Sequence, residues 1–313
     1  MSGTMTAIEA TEFSQRACPS CAASSFGNAA ISSPRRAEVM RLEELRPYWS
    51  GFYKEKVFFS YRRCKECGLL FAPVFFDEAQ LGGLYRSMDA NMALVPKEQL
   101  RRTQQGYFNI LKSTSELENG YMEIGPDVGL FAENCVRQER FAKYWLFEPN
   151  RCVLPELQAT MGSQDFTVIH DMFDFSAVPD HSVGAAVMIH VLDHLLNPLT
   201  TLKEIRKKLV PDGKLLIVTH NEASFLRYIA AGRWPPFCLQ HPQLYSPNSV
   251  RALLRIAGYK IVDIERTKNY FPIQFLLLQS LWALGFKPKS APTFWNKSIG
   301  LKVGNIATVA SAY

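Results

Sequence analysis

The chain has 313 residues, 47% of them apolar and 20% charged, with a formal net charge of +6. That much apolar sequence supports one substantial core plus a small accompanying module, so two domains are expected. The basic pairs Arg35-Arg36, Arg62-Arg63, Arg101-Arg102 and Lys207-Lys208 are scattered along the chain, which argues against a nucleic-acid binder built on one basic run. Seven cysteines, an odd number, with no secretory leader argue against a disulfide-stapled fold and for a reducing, cytoplasmic setting.

The first element with chemistry is a pair of Cys-x-x-Cys motifs, Cys18-Pro-Ser-Cys21 and Cys64-Lys-Glu-Cys67, with Gly68 supplying a tight turn after the second. Four thiolates at this spacing favour a structural zinc ion, from which a small segment poor in core residues gains folding free energy; two redox dithiols are the alternative. Residues 1–76 are therefore expected to form a zinc-binding module of the ribbon type, with the first dozen residues dispensable. Residues 77–119, containing Lys97-Glu-Gln-Leu-Arg-Arg102 and Tyr107-Phe-Asn-Ile-Leu111, read as a helical linker. Cys135, Cys152 and Cys238 stand alone and read as ordinary thiols.

From residue 120 onward, strand and helix patterns alternate. An apolar strand, Tyr121 to Ile124, runs into Gly125 and Gly129, and a helix begins near Leu130. A second strand ends in Glu148, a carboxylate placed to take both hydroxyls of a ribose. Asp127 occupies the position where a dinucleotide fingerprint needs glycine, so NAD is disfavoured. Asp165 to Asp171 and Gly184 to Ile189 read as the third and fourth strands. The helix Leu199 to Leu209 carries an apolar stripe of Leu199, Leu202, Ile205 and Leu209, and Pro211-Asp212-Gly213 then turns the chain into a fifth strand, Lys214 to Thr219. Ser246-Pro-Asn-Ser249 caps another helix that Gly258 closes, and strands follow at Lys260 to Thr267 and Gly304 to Ala312. The alternation predicts an α/β fold with a doubly wound sheet.

Glu123-x-Gly125-x-x-x-Gly129, Glu148-Pro149-Asn150 and His190-Val-Leu-Asp-His-Leu-Leu-Asn-Pro198, in that order, resemble the motifs of class I S-adenosylmethionine-dependent methyltransferases. Asp193 is one methylene shorter than the glutamate usual there. The resemblance covers residues 115–313 and implies a seven-stranded, Rossmann-like methyltransferase domain over 120–313 that binds S-adenosyl-L-methionine. It implies that Glu123 orients the amino-acid end of the cofactor and that Gly125, Asp127 and Gly129 form the loop beneath it. Glu148 would hold the ribose, Asp171 and Met172 would face the adenine, and His190 would lie beside the methionine end. With a zinc module in front, the chain is similar to bacterial sugar and secondary-metabolite methyltransferases.

Two stretches, 221–245 and 268–300, follow strand ends on the ligand side of such a sheet and are expected to form a substrate lid; a core-packing helix or a dimer face is the alternative. The second contains the charge-free run Tyr270 to Phe286, shorter than the roughly 20 apolar residues of a spanning helix. It would suit a lipid-linked substrate or a membrane surface. All six histidines lie between residues 170 and 241. An oxygen or carbon acceptor must lose a proton, so a general base is required. His241 opens His241-Pro-Gln-Leu-Tyr-Ser246, which resembles a segment of the family, and is the first candidate; His194 is the second, and Tyr245 is a further substrate contact. The expected activity is methyl transfer to an oxygen or carbon of a small molecule, a sugar, glycolipid or natural product. The alternatives are a zinc-ribbon RNA methyltransferase and an inactive, zinc-containing nucleic-acid-binding module.

Overall fold

Seven strands form the central sheet: β1 (Gly120–Ile124), β2 (Lys143–Phe147), β3 (Phe166–Ile169), β4 (Val183–Ile189), β5 (Leu209–His220), β6 (Tyr259–Arg266) and β7 (Asn305–Ala312). Their order is β3-β2-β1-β4-β5-β7-β6. β1 to β5 run parallel, and β7 inserts antiparallel between β5 and β6. The computed structural model describes residues 12–49, 56–86, 95–114, 116–138, 141–283, 297–302 and 304–312. The inner strands β1, β2 and β4 are largely apolar because both faces of the sheet are covered there, whereas the edge strand β6 carries Lys260, Asp263, Glu265 and Arg266 and stays largely accessible. Met122, Ile124, Phe147, Met188 and Ile217 pack into one layer, and their neighbours Tyr121, Leu146, Val187, Leu216 and Val218 pack into the other.

The helices are α1 (Glu78–Arg86), α2 (Lys97–Lys112), α3 (Leu130–Gln138), α4 (Leu154–Met161), α5 (Pro198–Lys208), α6 (Phe225–Ala230), α7 (Pro247–Ile256) and α8 (Ile273–Ala283), besides a single turn at Leu42–Leu45. α5 buries Leu202 and Ile205 against the sheet. α7 starts on a reciprocal cap, the Ser249 hydroxyl accepting from the Ser246 N–H at 2.9 Å. β5 begins earlier than expected. Pro211-Asp212-Gly213 form a bulge inside the strand rather than a turn before it, with Asp212 at φ +60° and the register jumping from Leu209 opposite Val183 to Lys214 opposite Ala185.

The N-terminal segment is held by a small antiparallel sheet of Phe26–Ile31, Tyr61–Cys64, Leu70–Phe71 and Gln243–Leu244. Its last strand comes from the 221–245 stretch, because the short Leu70–Phe71 strand needs a partner for its second edge. Tyr61 donates to the His241 carbonyl at 2.6 Å, and Arg63 forks onto Glu222 at 2.8 and 3.1 Å. Cys18, Cys64, Leu69 and Phe71 continue one core layer of the large sheet. The N-terminal segment and the 221–245 stretch therefore share hydrogen bonds and core. In the 268–300 stretch, Asn269–Pro272 pairs with Ser298–Leu301 and α8 follows the first of these strands; residues 284–296, including the end of the expected apolar run, lie outside the described residues, as does the 1–11 segment expected to be dispensable.

Candidate active site

β1 and β2 end side by side and present three carboxyl groups around one loop. Gly125, Asp127 and Gly129 have φ of +70°, +52° and +80°. Glycine is required at the two ends, where a Cβ would fall 2.8 Å from Val191 Cγ2 at Gly125 and 2.8 Å from Leu157 Cδ1 at Gly129. Glu148 closes the loop: Oε2 accepts from the Asp127 N–H at 2.9 Å and Oε1 from the Asn150 N–H at 2.8 Å. Each oxygen has a further acceptor site. Glu123 is buried, accepts from the Tyr121 hydroxyl at 2.6 Å, and is pushed up to about 8 by burial. Burial, and then the Glu148 charge, raises Asp127 to about 6; burial also raises Glu148. Carboxyl groups that hinder one another's ionisation favour a cationic ligand.

Beyond the ends of β4 and β5 four imidazoles gather. Ring centres are 4.7 Å apart for His190 and His220, 5.1 Å for His220 and His241, and 4.6 Å for His194 and His241. Asp193 anchors the group from a fully buried position. Its Oδ2 accepts from His220 Nδ1 at 2.9 Å and from the His220 N–H at 3.0 Å, while Oδ1 accepts from the Thr219 hydroxyl. Burial opposes ionisation of Asp193, but the His220 and Thr219 hydrogen bonds and the neighbouring imidazoles outweigh it and hold its pKa well below the usual carboxylate range. His220 therefore carries a proton on Nδ1, and its Nε2 has no hydrogen-bond partner among the described residues.

The other three rings differ. His190 has φ +54°, pairs through Nε2 with the Asn305 side-chain amide at 3.3 Å, and leaves Nδ1 buried without a partner among the described residues. Burial lowers its pKa to about 3. His241 donates from Nδ1 to the Pro236 carbonyl at 2.7 Å, with Cys238 Sγ at 3.4 Å. Burial pulls His241 down, but its charge and hydrogen-bond interactions with Cys238, and then the Asp193 charge, outweigh it and raise the pKa to about 9. His194 Nδ1 meets the Tyr85 hydroxyl at 3.0 Å, and burial, then His241, keeps it far below the ordinary value. Tyr245 is fully buried, its hydroxyl unpartnered among the described residues.

The four cysteines form the second cluster, with all ligand atoms within 4.8 Å of one another. Cys18 and Cys67 sulfurs are 3.5 Å apart and Cys21 and Cys64 sulfurs 3.6 Å. A disulfide would need about 2.0 Å, whereas sulfurs at the corners of a tetrahedron with bonds of ~2.3 Å lie roughly 3.8 Å apart. Both Cys-x-x-Cys turns close alike, the Ala22 N–H on the Cys18 carbonyl at 2.8 Å and the Gly68 N–H on the Cys64 carbonyl at 3.1 Å.

A family model described as a methyltransferase domain matches residues 98–264, just over half of the chain. The chain belongs to this methyltransferase family. Its members use S-adenosylmethionine, and the match runs from α2 to β6, spanning both strand ends that carry the carboxyl groups. A solved structure shares the fold. A chain from the Haloferax volcanii complex of the Trm112 methyltransferase activator with a methyltransferase aligns at TM-score 0.51 and 16% identity, covering 69% of this chain and 92% of that one. An Aquifex aeolicus SAM-dependent methyltransferase aligns at TM-score 0.49 and 14% identity, covering 72% and 100%. No curated protein matches the sequence.

In this methyltransferase domain Glu123, Gly125, Asp127, Gly129 and Glu148 converge at the β1 and β2 ends, and His190, His194 and His241 converge beyond β4 and β5. Asp171 is exposed, its Oδ1 accepting from the Phe173 N–H at 2.8 Å, and Met172 packs at the margin of the core. Sequence reasoning left His220 and Asp193 without roles. The available signal was a histidine closing one strand and an acid just after its neighbour.

Proposed function

We propose that this methyltransferase transfers a methyl group from S-adenosylmethionine to an oxygen or carbon of a small molecule, such as a sugar, a glycolipid or a natural product, with His220 as the proton acceptor. The observation that carries the reading is the Asp193–His220 pair at the end of β5, held at 2.9 Å with Nε2 unpartnered among the described residues. The residues present fit the cofactor: Glu148 has an acceptor site per oxygen for two ribose hydroxyls, and His190 Nδ1 is a buried polar atom without a partner among the described residues. When bound, the cofactor supplies a methyl group on a positively charged sulfur. Glu123 orients its amino-acid end, Gly125, Asp127 and Gly129 lie beneath it, Asp171 and Met172 border the adenine, and His190 borders the methionine end.

His220 Nε2 takes the proton that the acceptor releases, while Asp193 fixes the ring and offsets the imidazolium charge that results. His241, His194 and Tyr245 line the acceptor side. Cys18, Cys21, Cys64 and Cys67 hold a structural zinc ion, which fixes the sheet that borrows Gln243–Leu244 from the 221–245 lid. Titration with S-adenosylhomocysteine by calorimetry tests the cofactor site. Glu148→Ala should weaken binding by about 10- to 100-fold, the loss of hydrogen bonds to a charged group. Absence of binding by folded wild-type protein would remove this assignment.

A further inference from the structure

The cations that look scattered in sequence meet in space. Arg101, Arg102, Arg137, Arg266, Lys268 and Lys302 line one groove of about 530 Å³ between α2, α3 and the end of β6. Only two acids, Glu133 and Glu265, line it with them, leaving four net positive charges of the chain's +6. Glu133 is already shared between Arg101 at 2.9 Å and Arg137 at 2.5 Å. Arg102 lies over the Tyr270 ring at 4.2 Å and donates to Ser298, and Arg266, Lys268 and Lys302 have no carboxylate partner among the described residues.

Beside this groove the two inserts expose apolar side chains. α6 leaves Phe225 74%, Tyr228 78% and Ile229 64% accessible, although its six residues directly follow β5, where His220 sits. The Asn221 N–H bonds the Gly304 carbonyl at 2.8 Å, so the root of α6 lies two residues from Lys302 of the groove. On the far side, Tyr270 of the groove leads through Asn269–Pro272 into α8, which has no charged residue and whose Phe275 to Leu278 are only half-buried. No helix of the described residues is long and apolar enough to cross a membrane. Apolar side chains beside unpaired cations are the composition of a surface that lies on lipid headgroups and inserts shallowly. A nucleic-acid groove would not call for the aliphatic side chains of α6.

We propose that α6, α8 and the basic groove form a docking face for an anionic phospholipid bilayer, which places the acceptor side of the sheet at the membrane surface. The full chain should co-sediment with vesicles of phosphatidylcholine and phosphatidylglycerol in equal parts at low salt, and at least tenfold less with phosphatidylcholine alone. Lys268→Glu with Lys302→Glu should reduce binding about tenfold or more, and Phe225→Ser with Ile229→Ser should reduce it at every salt concentration. All four side chains are exposed, so neither double substitution should unfold the protein, and unchanged thermal unfolding checks this. Failure of wild-type protein to sediment, equal sedimentation with both vesicle types, or binding of polyuridylate that survives Phe225→Ser with Ile229→Ser would each overturn the proposal.

Discussion

Among the described residues two clusters of side chains could hold a metal ion, the four cysteines and the group His190, Asp193 and His220, and each brings its ligand atoms within 4.8 Å. Proximity alone does not separate them; hydrogen bonding does. The four sulfurs face one another at metal-like spacing, on two turns whose backbone bonds are closed elsewhere. Asp193 instead spends its oxygens on His220 and Thr219, which a metal would have to displace. One cluster has donors waiting for a cation, and the other has already used its carboxylate to orient a ring.

The largest effect should come from the cysteines. Cys64→Ser should release the zinc and destabilise the protein on the order of 5 kcal/mol, part of the ~10–16 kcal/mol such sites contribute in isolated modules. Because Gln243–Leu244 belongs to the same sheet, the loss should reach the 221–245 stretch. Metal analysis and thermal unfolding of the purified protein check this. Full stability after complete chelation would place the two clusters in one class.

The second test addresses the acid. Asp193→Asn should leave S-adenosylhomocysteine affinity within about threefold while lowering turnover by ~10²–10⁴, because an amide supports the wrong tautomer of His220. Nitrogen-detected NMR of the imidazole should show Nδ1 protonated in wild type and not in the variant. Cobalt added to zinc-loaded protein should give no absorption bands from a second site; bands that vanish in Asp193→Asn would mean that this cluster is a metal centre after all.

The loop at the ends of β1 and β2 was legible in the sequence for a physical reason. The Gly125 to Gly129 turn, and Glu148 at the end of the next strand, are local: a positive φ with no room for a Cβ favours glycine, and the order of the motifs singles out Glu148 among strand-end acids. The inner strands were legible because two-sided burial makes them apolar runs, and the charged edge strand β6 because it follows a helix closed by Gly258. The histidine group beyond β4 and β5 was not. His220 gains its meaning from Asp193, which lies far along the chain and meets it only because β4 and β5 are neighbours. His241 looked like the leading base, yet only packing ties its Nδ1 to the Pro236 carbonyl. The two-residue strands Leu70–Phe71 and Gln243–Leu244 are too short to show any period, so the shared sheet left no trace in the pattern. The basic groove was missed likewise, since its cations come from α2, α3, β6 and the approach to β7.

The smallest effect concerns Glu123, which sits between the two kinds of cluster: buried like Asp193, but with one hydroxyl donor in place of three donors. Its pKa is about 8 in the folded protein against 4.5 for the unfolded chain. Between those values the folded state holds the extra proton, so stability from this group is complete below about pH 4.5 and falls as pH rises towards 8. Glu123→Gln keeps an acceptor for the Tyr121 hydroxyl and removes the titration. It should therefore flatten the decline in stability over that range and gain roughly 2 kcal/mol at the alkaline end. Denaturant unfolding at several pH values checks the sign, and a variant that loses stability with pH as steeply as wild type would show that Glu123 is ionised in the fold.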